Sequence, residues 1–128
     1  SGGVPPLPRA FRQEEYRWLT VPDVALAKAR VARAHLAGQV DIWSDGGFGF
    51  SVGRPSDAIG RVFAIESIGP YDPRQLKRLY KGCGATIFKR DFPLSADEIM
   101  RRTGLHAGGD LRLAFTRIDG QFWTIRLK

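Results

Sequence analysis

The sequence has very few of the residues that build metal centres and disulfides, and no long apolar run. It contains one cysteine, Cys83, and two histidines, His35 and His106, among 128 residues. One thiol excludes an intramolecular disulfide and a cysteine-based zinc site, and the histidines lie far apart without companions at metal-ligand spacing. No apolar run approaches the length of a membrane span. We therefore expect no metal and no membrane partner, and a lone cysteine suits a reducing cytoplasm.

Catalytic motifs are missing as well. There is no Gly-x-Ser-x-Gly element and no nucleophile flanked by histidine. Gly47-Phe48-Gly49 with Gly53 has the wrong spacing for a dinucleotide fingerprint, and no helix is predicted to follow it. Carboxylates are paired only at Glu14-Glu15 and Asp97-Glu98, and the second pair fits the negative first turn of a helix. We predict no catalytic, cofactor-binding or metal-binding residue in this chain.

Positive charge is in excess, and most of it lies in the second half. The formal net charge is +7. Residues 60–128 hold 13 Lys/Arg and 7 Asp/Glu, whereas residues 1–59 hold 7 and 6. This asymmetry favours an anionic partner, although a solvated surface that keeps the protein soluble would give the same count.

The length fits one small domain. Residues 1–15 are predicted as an extended lead-in, because the prolines in Val4-Pro5-Pro6-Leu7-Pro8 suit neither a helix interior nor a central strand. Residues 1–3 have the composition of a tag remnant. Residues 16–128 are predicted as a single α+β domain in which helices pack on a sheet in two layers.

Residue periodicity and capping signals give the order β-α-β-β-β-α-β-α-β-β. Strands are predicted over 16–20, 62–68 and 85–89, with two short strands or a hairpin within 40–54. Helices are predicted over 22–37, from Asp72-Pro73 to Gly82, and from the cap at Ser95 to the stop at Gly104. The second helix should bury Leu76, Leu79 and Tyr80, and the third should bury Ile99.

The last 18 residues are predicted to form a hairpin with a definable register. Apolar residues alternate along both strands: Leu111, Leu113 and Phe115 on the first, and Trp123, Ile125 and Leu127 on the second. A three-residue loop of Ile118, Asp119 and Gly120 would pair Leu113 with Ile125 and keep these side chains on one face. A two-residue loop would pair Leu113 with Arg126 and mix the faces.

Basic residues without neighbouring acids are the strongest chemical signal. Six of them follow one another with no acid between Asp72 and Asp91: Arg74, Lys77, Arg78, Lys81, Lys89 and Arg90. The first four share a helix face, and the last two end the following strand. Such arrays bind phosphates because each contact releases condensed counterions. A solvated helix face is the alternative, but the acids at i, i+4 that usually relieve such a face are absent here.

Two further groups are predicted to contact the same partner. Lys28 lies on the wide apolar side of the first helix, where it either snorkels or reaches into a groove. In the predicted hairpin register Arg112 faces Arg126, so either an anion bridges the two guanidinium groups or both splay into water. Phe122 on the same face would stack an unpaired base.

Short pieces of sequence, spread in order over the chain, together resemble one known family. They are Tyr16-Arg17-Trp18-Leu19, Pro22-Asp23, Lys28-Ala29, Pro70-Tyr71-Asp72 with Leu76, Ile87-Phe88-Lys89-Arg90, Glu98 to Arg102, Gly108-Gly109 and Phe115-Thr116-Arg117. They are similar to the THUMP-like domain at the C-terminus of bacterial class I S-adenosylmethionine-dependent methyltransferases. Arg30 and Asp91 stand where that family usually has glycine. Asp tolerates a left-handed backbone better than most residues, so the turn at Asp91 is expected to survive.

The resemblance implies a ferredoxin-like or THUMP-like second half that presents RNA, either tRNA or rRNA, to a catalytic domain. Family members carry the methyltransferase domain before this region, and S-adenosylmethionine is expected to bind there. The chain itself has no glycine-rich cofactor loop and no Asn/Asp-Pro-Pro-aromatic motif. It therefore resembles an excised C-terminal domain or a fragment of a longer protein, with no activity of its own. The alternatives are a structural module that packs on the methyltransferase domain without touching RNA, and a free-standing enzyme.

Overall fold

The structure is a computed structural model, and it describes residues 10–23, 39–44, 46–57 and 60–128. Its contacts divide the chain into a first unit, Ser1–Ile65, and a second unit, Glu66–Lys128. Most of the lead-in and, beyond Asp23, the helix predicted over 22–37 lie outside the described residues, and so does Lys28. The prediction that residues 16–128 form one domain stays a prediction.

The described part of the first unit is built on a short antiparallel sheet with the order β2-β1-β3. Strand β1 spans Trp18–Pro22, β2 spans Gly49–Ser51 and β3 spans Gly60–Pro70. Trp18 lies opposite both Ser51 and Ala64. The strand predicted over 16–20 thus begins two residues later and includes Pro22, which was expected to open a helix. The predicted hairpin within 40–54 is reduced to β2 and a single bridge between Asp41 and Phe50.

The second unit alternates strands and helices after the end of β3. Its elements are α1, Pro73–Tyr80; β4, Gly84–Arg90; α2, Ala96–Thr103; β5, His106–Ala107; β6, Leu111–Ile118; and β7, Gln121–Leu127. Strand β4 runs parallel to both β5 and β6, and β6 runs antiparallel to β7. This arrangement confirms the predicted mixed α+β class. The two-residue strand β5 was not predicted, because two residues are too few to show an alternating pattern.

Both described helices begin at the predicted caps. The Asp72 side chain accepts a hydrogen bond from the Gln75 N–H at 3.1 Å, and the Ser95 hydroxyl accepts one from the Glu98 N–H at 3.1 Å. Such bonds satisfy backbone donors that a helix leaves unpaired in its first turn. Helix α2 ends at Gly104, whose φ of 75° lies in the left-handed region that favours glycine.

The two helices cover one face of the sheet in the second unit. Leu76 from α1 and Ile99 from α2 are buried together with Leu113 and Phe115 of β6. Leu79, predicted to be buried, is 59% exposed. Leu79 and Tyr80 lie on opposite sides of Leu76 around the helix. Only the Tyr80 side packs against the core.

The predicted register of the C-terminal hairpin is wrong. Leu113 lies opposite Arg126, and Ala114 lies opposite Ile125. The loop is the two-residue turn Asp119-Gly120, in which both residues have positive φ, 53° and 77°, as in a type I′ turn. The prediction assumed that only one face of the hairpin is buried. Both faces are buried, since Leu113 and Ala114 are each 0% exposed, so apolar residues need not share a face.

Candidate nucleic-acid interface

Helix α1 presents a continuous positive surface, here called the basic face, made of Arg74, Lys77, Arg78 and Lys81. All four residues are exposed. None of them forms an ion pair with a carboxylate in the described part of the chain. The face exists because Leu76 anchors the opposite side of the same short helix in the core. Four cations with free donors on one rigid element suit binding of a phosphate backbone.

The C-terminal end of α2, which carries two further cations, contacts the C-terminal end of α1. The Gly82 N–H, just past α1, donates to the Gly104 carbonyl oxygen at 2.9 Å. His106 Nε2–H donates to the Gly82 carbonyl oxygen at 2.8 Å. The last turn of α2 carries Arg101 and Arg102, both exposed. The partial negative charge at a helix C-terminus favours cations there.

Sequence reasoning missed Arg101 and Arg102 as candidates. They lie about twenty residues from Lys81 along the chain, and only the tertiary contact between Gly82 and Gly104 shows that their helix end adjoins that of α1. A usable signal did exist. Each helix carries two basic residues in its last turn and is followed by a glycine, so both helix ends could be recognised as basic from the sequence.

Lys89 and Arg90 end β4, as the sequence predicts, on an element separate from the basic face. Lys89 pairs with Phe115 and Arg90 with Thr116 across the parallel ladder. Consecutive strand residues point to opposite faces, so these two side chains are also separated from each other.

The turn after β4 keeps its expected conformation although glycine is replaced. Asp91 has a φ of 52°, in the left-handed region that Asp tolerates. Its carboxylate accepts a hydrogen bond from Arg117 Nη2 at 3.3 Å. The expectation that this turn survives is confirmed.

Arg112, Phe122 and Arg126 do not form the predicted second surface in the observed register. Arg112 lies opposite Leu127, so its side chain and that of Arg126 point to different faces. Arg112 donates to the Lys128 carbonyl oxygen at 3.1 Å. Phe122 is partly buried and packs edge-on against Phe92, with the ring centroids 5.3 Å apart. No pair of opposed arginines exists here.

Tyr71 positions the start of α1 from within the core. Its N–H donates to the Phe122 carbonyl oxygen at 2.9 Å, and its ring packs edge-on against Phe92 at 5.1 Å. Burial raises the pKa of Tyr71, and the positive charge of Arg102 opposes that rise. The hydroxyl therefore stays protonated at neutral pH, and the Tyr71 ring packs against the core of the second unit.

No cluster of three metal-ligating side chains occurs among residues 10–23, 39–44, 46–57 and 60–128. In the same part of the chain, no helix has the length and apolarity needed to cross a membrane.

These observations define a mixed α+β fold with exposed cations on one helix and at two adjoining helix ends, without ion pairs to the carboxylates that the structure describes. The chain belongs to the THUMP domain-like family, whose model matches residues 60–128. It is also similar to a solved structure described as a "putative methyltransferase from Porphyromonas gingivalis W83", with 28% identity and a TM-score of 0.75. That match covers 88% of this chain and 29% of the other, so this chain spans less than a third of that protein's length. No curated protein matches the sequence.

Proposed function

We propose that this chain is the RNA-binding, substrate-presenting part of an S-adenosylmethionine-dependent methyltransferase. The observation that carries the proposal is the basic face of α1, four exposed cations without carboxylate partners among the described residues, inside the region that matches the THUMP-like family. The similarity to part of a longer protein described as a methyltransferase supports the link to methyl transfer. Phosphates of tRNA or rRNA are the anions that such a surface suits.

The proposal assigns RNA binding to this chain and catalysis to another domain of a longer protein. That other domain would be of class I, would precede this region, and would hold S-adenosylmethionine and the catalytic residues. This chain would bind the RNA and orient it, acting in the cytoplasm, where the free and exposed Cys83 stays reduced.

The salt dependence of RNA binding tests the proposal. A structured RNA should bind the 128-residue chain weakly, and its affinity should fall steeply with salt, with a log–log slope of about 0.7–0.9 per phosphate contact. The double variant Lys77→Glu with Arg78→Glu should flatten that slope. Filter binding or fluorescence anisotropy over a salt series gives both quantities.

A matched control applies the same charge change to the first unit. Arg54 and Arg61 are exposed there, and they contact Asp57 and the Phe63 ring respectively. Arg54→Glu with Arg61→Glu should leave the slope close to that of the parent. If the parent shows no RNA affinity at low salt, or if both double variants behave alike, the chain is instead a module that packs on the catalytic domain.

Cofactor binding separately tests whether the S-adenosylmethionine site lies outside this chain. Calorimetric titration of the chain with S-adenosylmethionine should give no heat of binding. Micromolar affinity would contradict the proposal and favour a free-standing enzyme.

A further inference from the structure

A groove in the second unit holds an arginine against a tyrosine ring. The groove has a volume of about 230 Å³ and lies between the end of β3, helix α1 and strand β7. Its lining includes Pro70, Leu79, Tyr80, Thr124 and Arg126. Arg126 Nη1 donates to the Tyr80 hydroxyl at 3.1 Å, and the guanidinium carbon lies 5.4 Å from the Tyr80 ring centroid. These contacts fix the guanidinium although the side chain is exposed.

Arg126 keeps most of its hydrogen-bonding capacity free for a ligand. A guanidinium has five N–H donors, and here the Tyr80 hydroxyl takes one. Arg126 has no carboxylate partner in the described part of the chain. The same helix that supplies Tyr80 carries the basic face, so the groove opens in a region of positive potential that attracts anions.

The rest of the groove suits a small, flat and partly apolar group. Leu79 forms one wall and is 59% exposed, so a ligand would remove apolar surface from water there. The Thr124 hydroxyl oxygen is buried and makes no hydrogen bond to the part of the chain that the structure describes. The volume falls below the roughly 300–1,000 Å³ of sites that enclose drug-sized ligands. A single nucleobase therefore fits the groove better than a whole cofactor does.

We infer that this groove binds one unpaired nucleotide of the RNA, with its base against Leu79 and the guanidinium plane of Arg126. A neighbouring phosphate takes the remaining N–H donors of Arg126. Unpaired bases stack on aromatic rings and on arginine planes, whereas a base inside a duplex is already stacked and paired. The inference rests on the proposed function and adds the feature of the RNA that the second unit recognises.

The test compares two RNA duplexes that differ only in a two-nucleotide bulge. We expect the parent chain to bind the bulged duplex about tenfold more tightly than the fully paired one, in line with base stacking on a protein side chain. Arg126→Gln should abolish that preference and leave binding of the paired duplex nearly unchanged. Arg112→Gln is the matched control, because it removes the same charge from the other face of the same hairpin. It should keep the preference.

The remaining outcomes separate this inference from the proposed function. If the parent binds both duplexes equally, or if Arg126→Gln and Arg112→Gln weaken both duplexes alike, the groove is not a nucleotide site, although RNA binding stands. If the parent binds neither duplex, both proposals fail. Should Arg126→Gln unfold the chain, Leu79→Gln replaces it, since Leu79 is largely exposed and its loss should also remove the preference.

Discussion

The two units of the chain use their positive charges differently. In the first unit every described cation contacts its own unit. Arg12 pairs with Glu15 at 2.7 Å and with Asp41 at 3.3 Å, and Arg54 pairs with Asp57 at 3.0 Å. Arg17 donates to the Glu14 carbonyl oxygen, and Arg61 lies over an aromatic ring. In the second unit, the four cations of the basic face make no such contact.

This difference shows that charge count and charge availability are separate properties. Residues 1–65 hold 8 Lys/Arg and 6 Asp/Glu, whereas residues 66–128 hold 12 and 7. The excess alone would also fit a solvated surface. A cation that already pairs with a carboxylate must lose that partner before it can bind phosphate, and an unpaired one need not. The second unit is therefore the better candidate for an anionic ligand.

The largest expected effect tests how the second unit holds its basic helix in place. Ile99→Ala removes a 0% exposed side chain from the core beneath both helices and should cost about 2–5 kcal/mol of unfolding free energy. Leu79→Ala, on the exposed side of α1, should change it by less than about 0.5 kcal/mol. Urea unfolding of both variants measures this difference. Similar losses in the two would mean that Leu79 is buried after all.

A pH titration tests the internal network of the first unit. Burial, together with the hydrogen bond to Asp41 at 2.6 Å, raises the pKa of Tyr16 from 10 to about 12. The folded chain therefore holds this proton more tightly than the unfolded chain, so stability should be retained below pH 10 and should fall as pH rises toward about 12.

The Tyr16→Phe variant isolates that residue. Phenylalanine has no proton to lose, so the variant should show a shallower fall in urea-unfolding stability between about pH 10 and about pH 12 than the parent does. Some loss should remain, because burial also raises the pKa of Tyr71 in the second unit. Identical pH profiles for parent and variant would exclude Tyr16 as the source.

The smallest expected changes in folding stability have opposite signs in the two units. Helix α1 has no acid in its first turn. Arg74→Glu places one there, facing Lys77 and Arg78, and should stabilise the chain by about 0.3–1 kcal/mol. RNA affinity should fall at the same time. Arg12→Gln, which breaks two ion pairs in the first unit, should lower the melting temperature slightly and leave RNA affinity unchanged.

Thermal melts and binding curves on the same samples check this pair of variants. A lower melting temperature for Arg74→Glu would mean that Arg74 makes a stabilising contact. A loss of RNA affinity in Arg12→Gln would mean that the paired cations of the first unit take part in binding, and the contrast between the units would disappear.

Local signals in the sequence were sufficient for the helices of the second unit and for part of the site. The caps at Asp72 and Ser95 and the stop at Gly104 were predicted correctly, because capping depends on a few adjacent residues and on backbone geometry that does not vary with the fold. The exposure of Lys77 and Arg78 follows from the same short-range helix geometry, since Leu76 must face the core.

Only the tertiary structure decided which of these residues meet. Whether Leu113 pairs with Ile125 or with Arg126 depends on whether one or both faces of the hairpin are buried, and a strand pattern does not contain that information. The contact of Arg126 with Tyr80 depends on this register. The contact between the C-terminal ends of α1 and α2, where the Gly82 N–H donates to the Gly104 carbonyl oxygen, depends on long-range packing across a separation of about twenty residues in sequence. The sequence alone thus determined the elements and their charges, and long-range packing decided which of those charges share a surface.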